Sequence, residues 1–268
     1  MKHMKHELAT MLLAAAVSFM TSVGVQAEET PARKMNILAF GAHPDDVELN
    51  VGGTLLKYKK QGHSIFIALA TSGNTGSNVM TDTKLIGETR EKESLEAAKF
   101  YGAKVRFLRN DDERLLDTNE TRTQVLDALR WADPDIVFTH WKDDESPDHA
   151  MISKLVRSMI LSMPGINQQS NEKPSAKKPT VFMWDTGRGI GFVPEVYVDI
   201  SEECADKLKA LACHKSQVSW MSVFGNDRFT DSARIRAEFY GMQYGCRYAE
   251  VFRAWRISSY LADFKLLP

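Results

Sequence analysis

The sequence predicts an α/β fold, a mostly parallel β-sheet with helices on both faces, in a single domain from about residue 30 to 268. Two observations predict it. Short apolar, β-branched runs alternate four times with longer amphipathic segments, the pattern of a parallel sheet joined by crossover helices. The length of 268 residues, 43% hydrophobic and 26% charged, suits one sizeable core.

The elements follow in order. "MNILAF" (35–40) reads as a first strand, and "VGGTLLKYKKQG" (51–62) as a helix ended by Gly62. "SIFIALA" (64–70) is a buried strand, followed by the polar loop "TSGNTGSNVMTDT" (71–83). "GETREKESLEAAKFYG" (87–102) is an amphipathic helix with Leu95, Ala98, Phe100 and Tyr101 facing in and Gly102 as its stop. "KVRFL" (104–108) is a third strand, 118–132 a helix, "DIVFTH" (135–140) a fourth strand, and 149–163 a helix stopped by Pro164 and Gly165. Beyond a solvated loop at 164–179, strands are expected at 180–185, 195–200 and 249–257, and helices at 203–217 and 231–245.

The first 27 residues carry Lys2 and Lys5, the apolar run "MLLAAAVSFM" and the small-x-small end "VQA" at Ala27. This reads as a cleaved signal peptide, the run being shorter than the roughly 20 residues of a spanning helix. The remainder, 28–268, is expected to be exported to the periplasm or the extracellular space. Loss of Lys2, Lys5 and Glu7 takes the net charge from −1 to −2. The chain shows no basic stripe interleaved with aromatics, which excludes a nucleic-acid footprint, and no later segment has the length and apolarity of a membrane span. Homo-oligomerisation stays open. Cys204, Cys213 and Cys246 do not make a disulfide framework. On one helix over 203–217 the first two fall on opposite faces, and three buried thiols are expected.

In a parallel sheet, sites form outside the carboxyl ends of the strands. The loops at 41–46, 71–83, 109–117 and 140–148 therefore share one rim, while 164–179 falls at the opposite edge. Two rim loops carry chemistry. "AHPDDVEL" (42–49) places His43 and Asp46 three residues apart where a strand gives way to a helix, a good pair of zinc ligands. Asp45 between them is free to act as a general base beside a metal-bound water. The competing assignment is a helix cap. "THWKDDESPDHA" (139–150) places His149 at the next helix start as a third ligand, with Asp148 able to orient a histidine. Two His and one Asp with an open position is a catalytic rather than a structural metal pattern. The pattern offers a metal-bound water beside a general base.

"AHPDDVELNVGGTL" resembles the signature of the PIG-L (LmbE-like) family of zinc-dependent N-deacetylases, and "SPDHA" resembles its second motif, usually His-Pro-Asp-His. "ETREKESLEAAKFYG", "HKSQ" (214–217) and "YAEVFR" (248–253) resemble further blocks of that family, in its order. The first block and "YAEVF" most resemble the deacetylases of bacillithiol-type thiol biosynthesis. The resemblance implies a Rossmann-like fold, one Zn2+ per chain held by His43, Asp46 and His149, Asp45 as general base, and a substrate bearing an N-acetylglucosamine-like group. Ser146 stands where the family has a histidine. Its hydroxyl can donate a hydrogen bond but cannot carry a positive charge. His140 on the same loop is the candidate replacement.

Arg90 matches a family arginine near the substrate, and Arg188 in "DTGRGIGF" (185–192) is a second candidate substrate contact. His214 is expected to pack and end a helix. Two other readings remain at this point: a metal-bearing carbohydrate-binding domain without turnover, suggested by Ser146, and an amidase for a larger sugar-amide conjugate.

Overall fold

The computed structural model describes residues 33–221 and 229–256. The candidate signal peptide lies outside the described residues. The chain forms β1 (Asn36–Gly41), α1 (Asp46–Lys60), β2 (Ser64–Thr71), α2 (Thr83–Tyr101), β3 (Lys104–Asn110), α3 (Asn119–Ala132), β4 (Ile136–Thr139) and α4 (Pro147–Met159), which tightens into a single turn at Ile160–Ser162. It continues through β5 (Thr180–Trp184), β6 (Val196–Asp199), α5 (Cys204–Leu211), α6 (Lys215–Met221), α7 (Phe229–Tyr244) and β7 (Ala249–Ala254).

The strands make one sheet in the order β3-β2-β1-β4-β5-β7-β6. The first five strands are parallel, with Ile37 of β1 opposite both Ile65 of β2 and Ile136 of β4. Antiparallel β7 and β6 close the far edge. β1 shows why this is a two-faced sheet: Ile37 and Ala39 join one core layer, Leu38 and Phe40 the other, and none of the four is exposed. The order reverses between β1 and β4. A crevice opens there at the carboxyl ends, and it is where an open α/β sheet binds its ligands.

Three helices differ from expectation. α2 starts at Thr83, capped by the Asp82 carboxylate, which accepts the amides of Lys84 and Leu85. Its buried stripe runs through Ile86, Arg90, Ser94, Ala97, Ala98 and Tyr101, while Leu95 is half exposed. Two polar residues in the stripe hide it from a hydrophobicity pattern. α1 starts at Asp46, not near residue 51, and its glycine pair serves contact. A Cβ on Gly53 would lie 2.7 Å from the Ile200 side chain. The Gly53 and Thr54 amides donate to the Glu250 carboxylate, which also pairs with Lys207 at 2.6 Å. Finally, 203–217 is two helices. The chain breaks at His214, whose imidazole is fully buried against Glu48 of α1. Cys213 thus lies beyond the end of α5; all three cysteines are free, but only Cys204 is buried, Cys213 and Cys246 being partly exposed, against the three buried thiols expected. Among the described residues no helix is long and apolar enough to cross a membrane.

Candidate active site

β1 delivers the first cluster. After Ala42 the chain turns so sharply that Asp45 adopts φ 115°, a left-handed conformation costly for a side chain with a Cβ. Neither acid acts as a side-chain helix cap. Asp45 stands at the cap position of α1 and makes no cap bond. Asp46 Oδ2 accepts the His43 amide at 2.6 Å, closing the turn on itself.

β4 delivers the second cluster from the other side of the crevice. Ser146 stands at the cap position of α4, half-buried and making no side-chain cap bond, and Pro147 opens the helix. His149, one turn in, reaches back toward β1. His43 Nδ1 and His149 Nε2 lie 3.1 Å apart. Asp46 Oδ2 is 3.5 Å from the former and Asp46 Oδ1 is 3.4 Å from the latter. The three predicted ligands therefore meet.

The donor set fits a metal ion. Four ligands at zinc bond lengths of about 2.0–2.1 Å stand roughly 3.3 Å from one another in a tetrahedron, close to the three separations here. The histidine nitrogens that face away from the triangle meet carboxylates. His43 Nε2 lies 2.9 Å from Asp112 Oδ1 and 3.4 Å from Asp148 Oδ2, and His149 Nδ1 lies 3.2 Å from Asp144 Oδ1. A carboxylate behind a histidine holds the proton on the outer nitrogen and leaves the inner lone pair for a metal.

The electrostatics are those of a cluster built around a cation. Burial opposes the charge on His43, but hydrogen bonds to Asp112, Asp148 and Asp46 outweigh it and raise its pKa well above the usual imidazole value. Burial likewise opposes His149, yet Asp46 and Asp144 bring it up to about 9. Burial works against ionised Asp46, but His149 and His140 hold its carboxyl well below the usual carboxylate range. Asp45 differs: burial pushes it up to about 6, against the pull of Arg90.

Two sequence expectations are corrected. His140 does not reach the mouth of the site. It is 1% exposed beneath the cluster, stacked on His149 at 4.0 Å between ring centroids. Its Nδ1 faces the Trp184 indole N–H at 3.2 Å; its Nε2 lies 3.0 Å from the Ala42 amide and 3.2 Å from Asp46 Oδ2. A neutral imidazole offers one acceptor. The Trp184 indole and the Ala42 amide both donate toward the ring, at Nδ1 and Nε2, so they compete for that one acceptor. Burial, with His149 beside it, brings its pKa down to about 4, so the ring is neutral near pH 7 and unsuited to replace the histidine absent at 146. Arg90 is not placed for direct substrate contact. It is 3% exposed, and its guanidinium donates to the carbonyls of Pro44 (2.6 Å) and Gly73 (2.9 Å) and lies 3.4 Å from Asp45 Oδ2. It braces the turn that presents Asp45. Glu93, one turn away, accepts from Ser216 instead.

Asp148, expected to orient a histidine, makes the longer of the two contacts to His43. Its oxygens accept the amides of Glu113 and Leu115, fixing the loop after β3. Asp112 and Asp144, the nearer partners of the two histidines, escaped the sequence reading. Both lie in rim loops as the second acid of an Asp-Asp pair, a signal that could have found them. Arg188 is exposed in the loop after β5, which leaves the sheet at the same edge because β5 is parallel to β4.

Residues 38–160 match the family described as GlcNAc-PI de-N-acetylase (PIG-L). The chain carries a PIG-L family domain. The chain is 28% identical over 228 residues to a diacetylchitobiose deacetylase of Thermococcus kodakarensis, covering 81% of this chain and 82% of the relative. It is 27% identical over 194 residues to a probable N-acetyl-alpha-D-glucosaminyl L-malate deacetylase 2 of Bacillus cereus, covering 69% and 85%. A crystal structure of a conserved protein from Thermus thermophilus superposes with a TM-score of 0.71 at 27% identity, covering 85% of this chain and all of that one. The expected fold holds, and the expected family is found as a domain over residues 38–160.

Proposed function

We propose that this protein is a zinc-dependent N-deacetylase that removes the acetyl group from an N-acetylglucosamine-like sugar or its conjugate. One juxtaposition carries the reading: a triangle of His43, Asp46 and His149, and beside it a carboxylate, Asp45, that is not part of the triangle. Those three residues would hold the ion, which when bound supplies Lewis-acid polarisation of an amide carbonyl and of water.

The chain's own groups do the rest. Asp45 takes a proton from the attacking water as the water oxygen bonds to the acetyl carbon. It then returns the proton to the nitrogen as the C–N bond breaks, giving acetate and a free amine. Burial, which favours the neutral acid, suits a group that must accept and then release a proton. Arg90 keeps Asp45 aimed by holding the carbonyl of Pro44. Ser146 offers the leaving group a hydrogen bond without a charge.

The relatives acting on diacetylchitobiose and on a glucosaminyl malate support an acetylated amino sugar as substrate. The export-like segment 1–27 supports a substrate met outside the cytoplasm, an envelope glycan or a scavenged sugar. Zinc-loaded protein should release acetate from at least one member of a panel of N-acetylated mono- and disaccharides, and Asp45→Asn should abolish the release. Fully loaded protein that releases none from any of them would sink the reading.

Ser146 favours a second reading, a metal-bearing carbohydrate-binding domain. Ser146→His separates the two. A large gain from near-zero activity marks a decayed enzyme; robust wild-type turnover dismisses the binding-only role.

A further inference from the structure

The "HKSQ" segment is remote in sequence from both metal-binding motifs and supplies none of the groups in the chemistry above. Three of its four polar side chains, all but that of exposed Lys215, nevertheless reach elements that build the site. His214 Nε2 lies 3.2 Å from Glu48, two residues after Asp46. The Ser216 amide and hydroxyl donate to the two oxygens of Glu93 on α2, at 2.9 and 2.6 Å. Gln217, 3% exposed, donates its side-chain amide to the Gly76 carbonyl at 3.0 Å.

Gly76 belongs to a tight turn, its own amide donating to the Gly73 carbonyl at 3.1 Å. This turn touches both halves of the site. On one side it packs directly on Arg90. A Cβ at Gly73 would lie 2.3 Å, and one at Gly76 2.6 Å, from Arg90 Nη1, and the latter would also meet the Gln217 amide at 3.2–3.3 Å. On the other side Thr75 donates its hydroxyl to Asp112 at 2.8 Å, and Asp112 is the carboxylate behind His43. The two glycines thus allow an approach that no other residue would, with Gln217 closing it from behind.

We propose that Gln217 is a positioning residue. By holding the 73–76 turn against Arg90 and Asp112, it fixes Asp45 through the first and His43 through the second. It touches neither substrate nor metal. The proposal rests on the reading of Asp45 and His43 given above. It also accounts for the break at His214: a continuous helix over 203–217 would have its own axis, whereas a new helix starting at Lys215 brings Gln217 over the turn. Misplacing a reacting group by about 1 Å costs roughly 100-fold in rate, and changing a residue that orients a ligand typically costs about 10–100-fold in metal affinity or activity.

The test uses the full chain with two variants. Gln217→Glu keeps the shape and removes the N–H donor; Gln217→Leu keeps bulk and removes both polar atoms. Exposed Lys215→Ala in the same segment is the control. Expected for both variants are faster amide hydrogen exchange in 72–76, weaker zinc binding in a chelator competition, and a kcat about 10–100-fold lower at little-changed KM, counted per folded, zinc-loaded chain. The control should match wild type. Wild-type exchange in both variants overturns the proposal. So does faster exchange with wild-type kcat and zinc affinity, the result of a merely structural contact. If the wild-type chain itself releases no acetate, the functional reading falls and the positioning role is judged on exchange and zinc affinity: both altered supports it, either one at wild-type level overturns it.

Discussion

His43 Nδ1 and His149 Nε2 point at each other across 3.1 Å, although 106 residues separate them. Two imidazoles so close, each backed by a carboxylate, are stable without metal only if a proton stands in for it. Both pKa values are raised, His149 to about 9. The 3.1 Å contact takes one N–H donor and one acceptor, so near pH 7 the facing nitrogens of the metal-free protein share one proton, and zinc must displace it. Binding calorimetry in buffers of different ionisation enthalpy should show about one proton released per zinc at pH 7. Release near zero would mean that the two rings are already neutral.

The same pair sets a pH dependence of stability in the metal-free form. The folded pKa values lie above the unfolded value of about 6.5. Their contribution is complete below that value and is lost as pH rises through about 9. After chelation the melting temperature should fall across this window from the His43 and His149 contribution. The zinc-loaded protein should not show that fall, because the metal has replaced the shared proton. Parallel thermal melts with and without chelator check it.

Asp45 stores backbone strain at φ 115°. Glycine adopts this conformation without a Cβ penalty, whereas alanine keeps the penalty. Both substitutions remove the carboxylate, and with it the contact to Arg90, so the difference between them isolates the backbone. Asp45→Gly should be more stable than Asp45→Ala by about 1–2 kcal/mol, read from denaturant midpoints at equal slope. Both should be inactive. Equal midpoints would mean that the turn relaxes at no cost.

Arg90→Lys is not a conservative change here. The guanidinium reaches the carbonyls of Pro44 and Gly73 at once, and an ammonium on a different stem cannot reproduce that fork. Each hydrogen bond to a charged group is worth about 1.5–3 kcal/mol. A stability loss of about 2 kcal/mol and a kcat lower by tenfold or more should appear together, and acetate-release kinetics alongside denaturation will show whether they do.

What could be read from the sequence follows from how far its signals reach. β1, β2 and β4 are apolar on both faces, so local composition announces them, and their order fixes which loops share a rim. His43, Asp46 and His149 were legible because each lies in a strand-to-helix connection whose partner is implied by parallel topology. Asp112 was not, because its importance comes from His43, nearly 70 residues away. The inward face of α2 was hidden because it runs through Arg90 and Ser94. The break at His214 was hidden because 203–217 contains neither glycine nor proline, and a buried contact to Glu48 marks the interruption.

Asp112 and Asp148 both face His43 Nε2, and their other bonds separate what each does. Asp112 makes the shorter contact, 2.9 Å, and otherwise accepts from Thr75. Asp148 is 3.4 Å away, and its two oxygens already accept the amides of Glu113 and Leu115. Converting either acid to its amide replaces one acceptor oxygen with a donor. For Asp112→Asn the loss falls on His43, whose outer N–H loses a charged partner, and zinc affinity should drop about 10–100-fold with a small change in stability. For Asp148→Asn the loss falls on the backbone, where one buried amide is left unpaired, and stability should drop by about 1–3 kcal/mol with a smaller change in zinc affinity. Chelator competition and chemical denaturation on the same two proteins measure the crossover. If Asp148→Asn weakens zinc more than Asp112→Asn does, Asp148 is the carboxylate that orients His43, and the shorter contact to Asp112 is incidental.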